Sequence, residues 1–184
     1  MWNDLIQACQ NHSRKFISGQ QSEQLKDLLV DVQSITSQIG FEANQDLPYG
    51  RYLIHEEKLF NIQLDIFSRS YTGDIHNHNT WGLFAVISGQ LIAEDWIESD
   101  NQFQLERSAV FTKGSCQCFG PPVSDWHRVG TPQDGPQTLS LHIYGEGFNL
   151  EEGYYLNSSL QPVKAKRSAF GNNSVFEDAL FRMK

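Results

Sequence analysis

Beyond Pro48 the chain is a succession of short apolar runs cut apart by turn residues, with no helical period between them. That pattern constrains the fold more than any other feature. Leu59–Phe67 alternates with period two, Phe60, Ile62 and Leu64 falling on one face up to a shift near Phe67. Strand-like runs follow at Trp81–Ser88, Gln90–Ile97, Val110–Thr112, Gln117–Phe119, Trp126–Val129 and Thr138–Tyr144. Gly73-Asp74, Ser88-Gly89, Ser99-Asp100-Asn101, Gly114, Gly120-Pro121-Pro122 and the Pro132–Pro136 stretch separate them. Many closely spaced strands without helices between them predict an antiparallel sandwich or barrel.

Before Pro48 the period changes to that of helices. Trp2, Leu5, Ile6, Cys9 and Phe16 fit one helix face; Leu25, Leu28, Leu29, Val32 and Ile35 fit another, after Ser22 as N-cap. Gly19 separates the two and Gly40 can close the second. The expected organisation is a single domain over 1–184, with N-terminal helices over 1–45, a β-barrel over 46–163 and a C-terminal extension over 164–184. Tyr154–Leu156 and Leu160–Val163 are candidate edge strands.

Composition narrows the function classes. With 14 basic and 22 acidic residues the net charge is −8, which argues against nucleic acid or an anionic membrane as the main partner. The 12 Phe, 6 Tyr and 4 Trp supply ample core material. Three cysteines, few and odd in number, fit a reducing compartment better than a disulfide framework. No apolar stretch reaches the ~18 residues of a membrane span, and the N-terminus lacks the pattern of a secretory signal, so a cytoplasmic protein is expected.

The histidines carry the chemistry. His76 and His78 stand two apart in Asp74–His78, which on a strand puts both on one face ~6–7 Å apart along the backbone. A bare His-x-His is as compatible with surface decoration as with a metal site. His127 and His142, however, fall in two further candidate strands. His12 is expected to be solvated on the first helix, and His55 to flank a strand end. Ser140, His142 and Tyr144 alternate with Leu139, Leu141 and Ile143, so the three polar side chains share a face. That face either lines a cavity, where serine, imidazole and phenol can hydrogen-bond in series, or is the exposed side of a strand. Cys116 and Cys118 read as small core residues.

Four segments, in order over Tyr49–Tyr144, resemble the thiol dioxygenases of the cupin superfamily. Gly73–Gly89, containing His76-Asn77-His78, is similar to the first cupin motif, and Asp125-Trp126-His127-Arg128-Val129 to the second. Ser140-Leu141-His142-Ile143-Tyr144 resembles the family's Ser-x-His-x-Tyr strand. Tyr49-Gly50-Arg51-Tyr52-Leu53 resembles the segment whose arginine grips the substrate carboxylate in cysteine dioxygenases. The resemblance implies an all-β cupin double-stranded β-helix, or jelly-roll barrel, with a short helical annex. It implies Fe(II) on His76, His78 and His127, and a small thiol plus O2 as substrates. Tyr144 would be catalytic and oriented by His142 and Ser140; Arg51 would bind the carboxylate, with Trp81 and Phe84 as pocket-wall candidates.

The glutamate that many cupins carry a few residues after His-x-His is missing; Asn79-Thr80-Trp81-Gly82-Leu83 stands there instead. That favours three histidine ligands over four ligands. Gly82 occupies the place of the cysteine that animal-type cysteine dioxygenases couple to their tyrosine, so no thioether is expected. Bacterial 3-mercaptopropionate dioxygenases share that glycine but carry a neutral residue in place of Arg51. A guanidinium fork binds a carboxylate bidentately, which tips the expectation toward L-cysteine, converted to its sulfinic acid. The alternatives are 3-mercaptopropionate oxidation, a metal-dependent isomerase or decarboxylase on the same fold, and a non-catalytic ligand-binding module. A homodimer is the expected assembly, if any.

Overall fold

A computed structural model of the protein describes residues 2–13, 21–37, 50–119, 126–149 and 151–166. Among the described residues two helices, α1 (Trp2–Ser13) and α2 (Gln21–Ser37), precede eleven strands. These are β1 (Gly50–Glu57), β2 (Phe60–Phe67), β3 (His76–Asn77), β4 (Gly82–Ser88), β5 (Gln90–Ser99) and β6 (Gln102–Thr112), then β7 (Cys116–Phe119), β8 (His127–Gly130), β9 (Thr138–Gly145), β10 (Glu152–Leu156) and β11 (Pro162–Lys166). Every strand pair is antiparallel. One sheet has the order β1-β2-β9-β4-β7 and the other β11-β10-β3-β8-β5-β6. From β2 onward the chain passes back and forth between the two sheets, which is the winding of a double-stranded β-helix. This is the all-β fold expected from the sequence, with its helical annex.

The first sheet is apolar on its outer side. Ile62, Leu64, Leu83, Ala85, Leu139, Leu141 and Ile143 are buried there with Leu5, Cys9, Leu28 and Val32 of the helices. Alternation then forces Asn61, Gln63, Asp65, Ser140, His142 and Tyr144 onto the inner side, facing the second sheet. Cys116 and Cys118 pack against the helix-covered core, and burial pushes the Cys118 thiol up to about 12, so it is no nucleophile at neutral pH.

Several local expectations need correction. His12 is buried, its Nε2 lying 3.1 Å from Asp31 Oδ2, so it ties α1 to α2 instead of meeting solvent. His55 lies within β1, beside a bulge and against the Phe60 ring, rather than flanking a strand end. The strand β1 itself had no clear periodic signal. β6 runs through Gln102–Thr112, far longer than Val110–Thr112. Its central residues are exposed and lack alternation, but Asp100 and Asn101, at φ 52° and 60°, form a two-residue hairpin turn that sets the full ladder with β5. By contrast, the extended segment around the histidines shrinks to a two-residue strand, β3. β11 runs on to Lys166, inside the expected C-terminal extension. Ser22 is within α2 rather than before it, while Phe16, Gly19, Gly40, Tyr49, the Gly120-Pro121-Pro122 turn and Asp125 lie outside the described residues.

Candidate metal centre

The second sheet brings the histidines of the two motifs together. His76 on β3 is the ladder partner of His127 on β8, and His78 follows one residue beyond β3. Asn79 then takes a left-handed φ of 55°, turning the chain so that His78 can point inward while Thr80 Oγ1 bonds the Glu146 carbonyl at 2.9 Å. The three ring centroids are 4.5–4.8 Å apart. One nitrogen from each ring lies within 4.8 Å of the others, close enough for one ion at metal–nitrogen distances of ~2.0–2.1 Å after small side-chain rotations. His76 Nδ1 lies 2.8 Å from the Asp74 carbonyl, which can only accept a hydrogen bond. That fixes the proton on Nδ1 and leaves Nε2 as a donor lone pair, the usual arrangement of a ligating imidazole. These histidines fit a metal, and among the described residues the cluster includes no carboxylate.

The facing wall comes from the first sheet, in rows set by its register. Arg51, Asp65, Ser140 and Val86 form one row across β1, β2, β9 and β4. Leu53, Gln63, His142, Phe84 and Gln117 form the next, and Asn61, Tyr144, Gly82 and Phe119 the third. The histidines and part of these rows, Arg51, Asp65, His142, Phe84, Tyr144 and Phe119 among them, line a cavity of about 70 Å³, room for a small molecule only.

His142 Nε2 is 2.8 Å from Ser140 Oγ and 3.7 Å from Asp65 Oδ2, and its Nδ1 is 3.2 Å from the Tyr144 hydroxyl. Burial, with Arg51 nearby, pushes the His142 imidazole down to about 3, so it is neutral at physiological pH. A neutral ring carries one proton, and the Asp65 carboxylate favours it on Nε2. Nδ1 is then the acceptor, and Tyr144 donates its O–H to it. This holds the phenol still, with its oxygen lone pairs toward the cavity. The Tyr144 ring stacks on Phe148 at 4.1 Å and meets the His78 edge at 4.6 Å, so the hydroxyl strand and the histidine cluster adjoin.

Gly82 is the ladder partner of Tyr144. A Cβ there would come within 2.3 Å of the Phe119 ring, which packs against His127 instead, and no side chain is present to join the tyrosine. Phe84 lines the cavity, whereas Trp81 does not: it is buried in the helix-covered core with its indole against Gly145. Contrary to the expectation of a pocket-wall role, Trp81 faces away from the cavity, preceding β4 on the outward parity. Asp65, Phe119, Phe148 and Tyr155 belong to the site's surroundings but carried no motif. Asp65 alone had a visible signal, as a polar residue on the strand face opposite Ile62, Leu64 and Ile66.

No protein-family model matches the chain, and no curated protein matches it. Solved structures do resemble it in fold. An RmlC-like cupin protein from Ralstonia eutropha JMP134 is 14% identical, over 79% of this chain and 84% of that one, with a TM-score of 0.44. A cupin superfamily protein from Desulfitobacterium hafniense DCB-2 is 12% identical over 61% and 87%, TM-score 0.42. An RmlC-like cupin family protein with a double-stranded β-helix fold from Methanocaldococcus jannaschii is 8% identical over 59% and 89%, TM-score 0.45. The fold assignment stands on strand order and register.

Proposed function

We propose that this protein is a non-haem Fe(II) thiol dioxygenase that converts a small thiol carboxylate, L-cysteine first among them, to its sulfinic acid. The observation that carries the reading is a cluster of three histidines, without a carboxylate among the described residues, that shares one small cavity with Arg51, His142 and Tyr144, Ser140 standing behind His142. Three neutral imidazoles leave the charge of a divalent ion uncompensated, whereas the common non-haem oxygenase site uses two histidines and a carboxylate. An all-histidine site suits a substrate that brings its own negative charge as a thiolate.

His76, His78 and His127 would hold the iron, which would supply the redox chemistry that a reaction between O2 and a thiol needs. The reaction balances as RSH + O2 → RSO2H, with both oxygen atoms on sulfur and no co-reductant. Arg51 holds the substrate carboxylate. Tyr144, its proton committed to His142, offers a fixed oxygen as hydrogen-bond acceptor to the bound substrate. Phe119 packs against His78 and His127 and Phe148 against His78, which covers two of the three rings with apolar surface.

The test is oxygen uptake by the Fe(II)-loaded protein with L-cysteine, 3-mercaptopropionate and cysteamine, with sulfinate identified by mass spectrometry. Uptake with one-to-one sulfinate formation is expected. No uptake with any of the three, together with stoichiometric Zn or Mn after native purification, overturns the reading in favour of another metal-dependent cupin chemistry.

A further inference from the structure

Asp65 is a buried carboxylate for which the histidine cluster has no use. It stands on β2 with Arg51 as ladder partner on one side and Ser140 on the other. Its side chain is only 5% exposed, yet it lines the cavity. Oδ2 faces His142 Nε2 at 3.7 Å, while Oδ1 has no hydrogen-bond partner among the described residues. A buried carboxylate oxygen left without a donor is costly, so a site that keeps one is incomplete until a donor arrives.

The neighbouring charges say which donor. Arg51 faces Asp65 from β1, and the neutral His142 faces it from β9; Val86 on β4 brings none. Asp74, Asp95 and the three histidines line the cavity from the other sheet. A ligand bearing only a carboxylate, gripped by Arg51, would set a second negative charge beside Asp65. A ligand that also bears an ammonium would give Oδ1 its donor and cancel that repulsion. Directly opposed residues on neighbouring antiparallel strands have Cβ atoms ~4.5–5.5 Å apart. That is the scale of an α-amino acid, whose two charged groups branch from one carbon.

We propose that Asp65 receives the ligand's ammonium group, so that Arg51 and Asp65 together select an α-amino-acid thiol over thiol carboxylates that lack the amine. The inference rests on the dioxygenase reading for the identity of the thiol, and on Asp65 and Arg51 alone for the charge pattern. In the empty site, burial pushes the Asp65 carboxyl up to about 7 against the opposing pull of Arg51; an incoming ammonium favours its ionised form.

Anaerobic binding to the protein as purified, followed by calorimetry, separates the possibilities. L-Cysteine carries both charges, 3-mercaptopropionate lacks the ammonium, and cysteamine lacks the carboxylate. The wild type should bind L-cysteine at least about tenfold more tightly than 3-mercaptopropionate, and Asp65→Asn should abolish that preference by weakening only the two amines. Equal binding of the two carboxylates by the wild type overturns the proposal without any variant. Equal weakening of all three thiols in Asp65→Asn also overturns it, by assigning Asp65 a structural role. Oxygen uptake with 3-mercaptopropionate and no preference for cysteine leaves the dioxygenase standing and sinks the ammonium site. Preference for cysteine without oxygen uptake does the reverse, and no binding of any thiol sinks both.

Discussion

His76 and His127 oppose each other directly across the β3–β8 ladder, with ring centroids 4.5 Å apart. Two imidazoles locked in register by backbone hydrogen bonds need only His78 to complete a facial set. The ladder exists without the ion, so chelation should leave the barrel folded. Adding Fe(II) to metal-free protein should raise Tm by a few degrees, since a ligand that binds only the folded state stabilises it. His127→Ala should abolish both the rise and stoichiometric iron retention, measured by melting and elemental analysis. A His127→Ala variant that still gains stability from iron would place the metal elsewhere.

Removing the Tyr144 hydroxyl tests the series independently of metal binding. Tyr144→Phe should keep its iron and its fold but lose about 100- to 1,000-fold in kcat, the range for removing one positioned hydrogen-bonding group at the reacting atoms. Ser140→Ala acts only through His142, so its loss should be smaller and should fall on kcat rather than KM. Full activity in Tyr144→Phe would exclude the phenol from the reaction.

Asp65 and His142 give opposite pH signatures. The Asp65 carboxyl is raised from 3.8 to about 7 by burial, so its contribution to stability is full below pH 3.8 and is lost as pH rises through 7. His142 is lowered from 6.5 to about 3, so its contribution is present above pH 6.5 and is lost as pH falls toward 3. Asp65→Asn removes only the first. In urea melts its stability relative to wild type should therefore improve between pH 5 and pH 8. A constant difference across that range would show that the carboxyl does not titrate there.

Gly82→Ala should harm the site through packing alone. The new Cβ would meet the Phe119 ring at 2.3 Å and Tyr144 at 3.1 Å, and the ring, wedged against His127, must move. Overpacking of this kind costs about 1–3 kcal/mol. Turnover should fall with it, while Leu64→Ala, on the helix-covered side, should cost about 2–5 kcal/mol and leave iron content unchanged. Both are measured by denaturant melts and elemental analysis.

How much of this was legible in sequence follows from period two. The alternation of Ser140, His142 and Tyr144 with Leu139, Leu141 and Ile143 foretold which side chains share a face. It could not say that the aliphatic side lies under helices and the polar side over a cavity. That is why Trp81 and Phe84, of opposite parity, both stood as wall candidates: only the side on which the helices lie decides that Phe84 faces the cavity and Trp81, like Leu83, the core. Asp65 had a readable parity and no motif, so its meaning emerged only when Arg51 and Ser140 were found on either side of it. The burial of His12 is not legible in sequence because its partner, Asp31, sits on another helix, and nothing local announces a tertiary pairing. Only the end of β6, Val110–Thr112, is legible in sequence, because an edge strand open to solvent has no reason to alternate.

The first sheet uses its two faces for two purposes, and both are written along the same strands. In β9, adjacent residues belong alternately to the folding core and to the inner face that borders the cavity. A one-residue slip of β9 against β2 and β4 would carry Ser140, His142 and Tyr144 beneath the helices and Leu139, Leu141 and Ile143 onto the inner face. Such a slip has no half-damaged state, since the error that silences the chemistry also removes the fold's cohesion. Misregistered chains of this protein would therefore be eliminated by instability before they could persist as folded protein with an altered cavity.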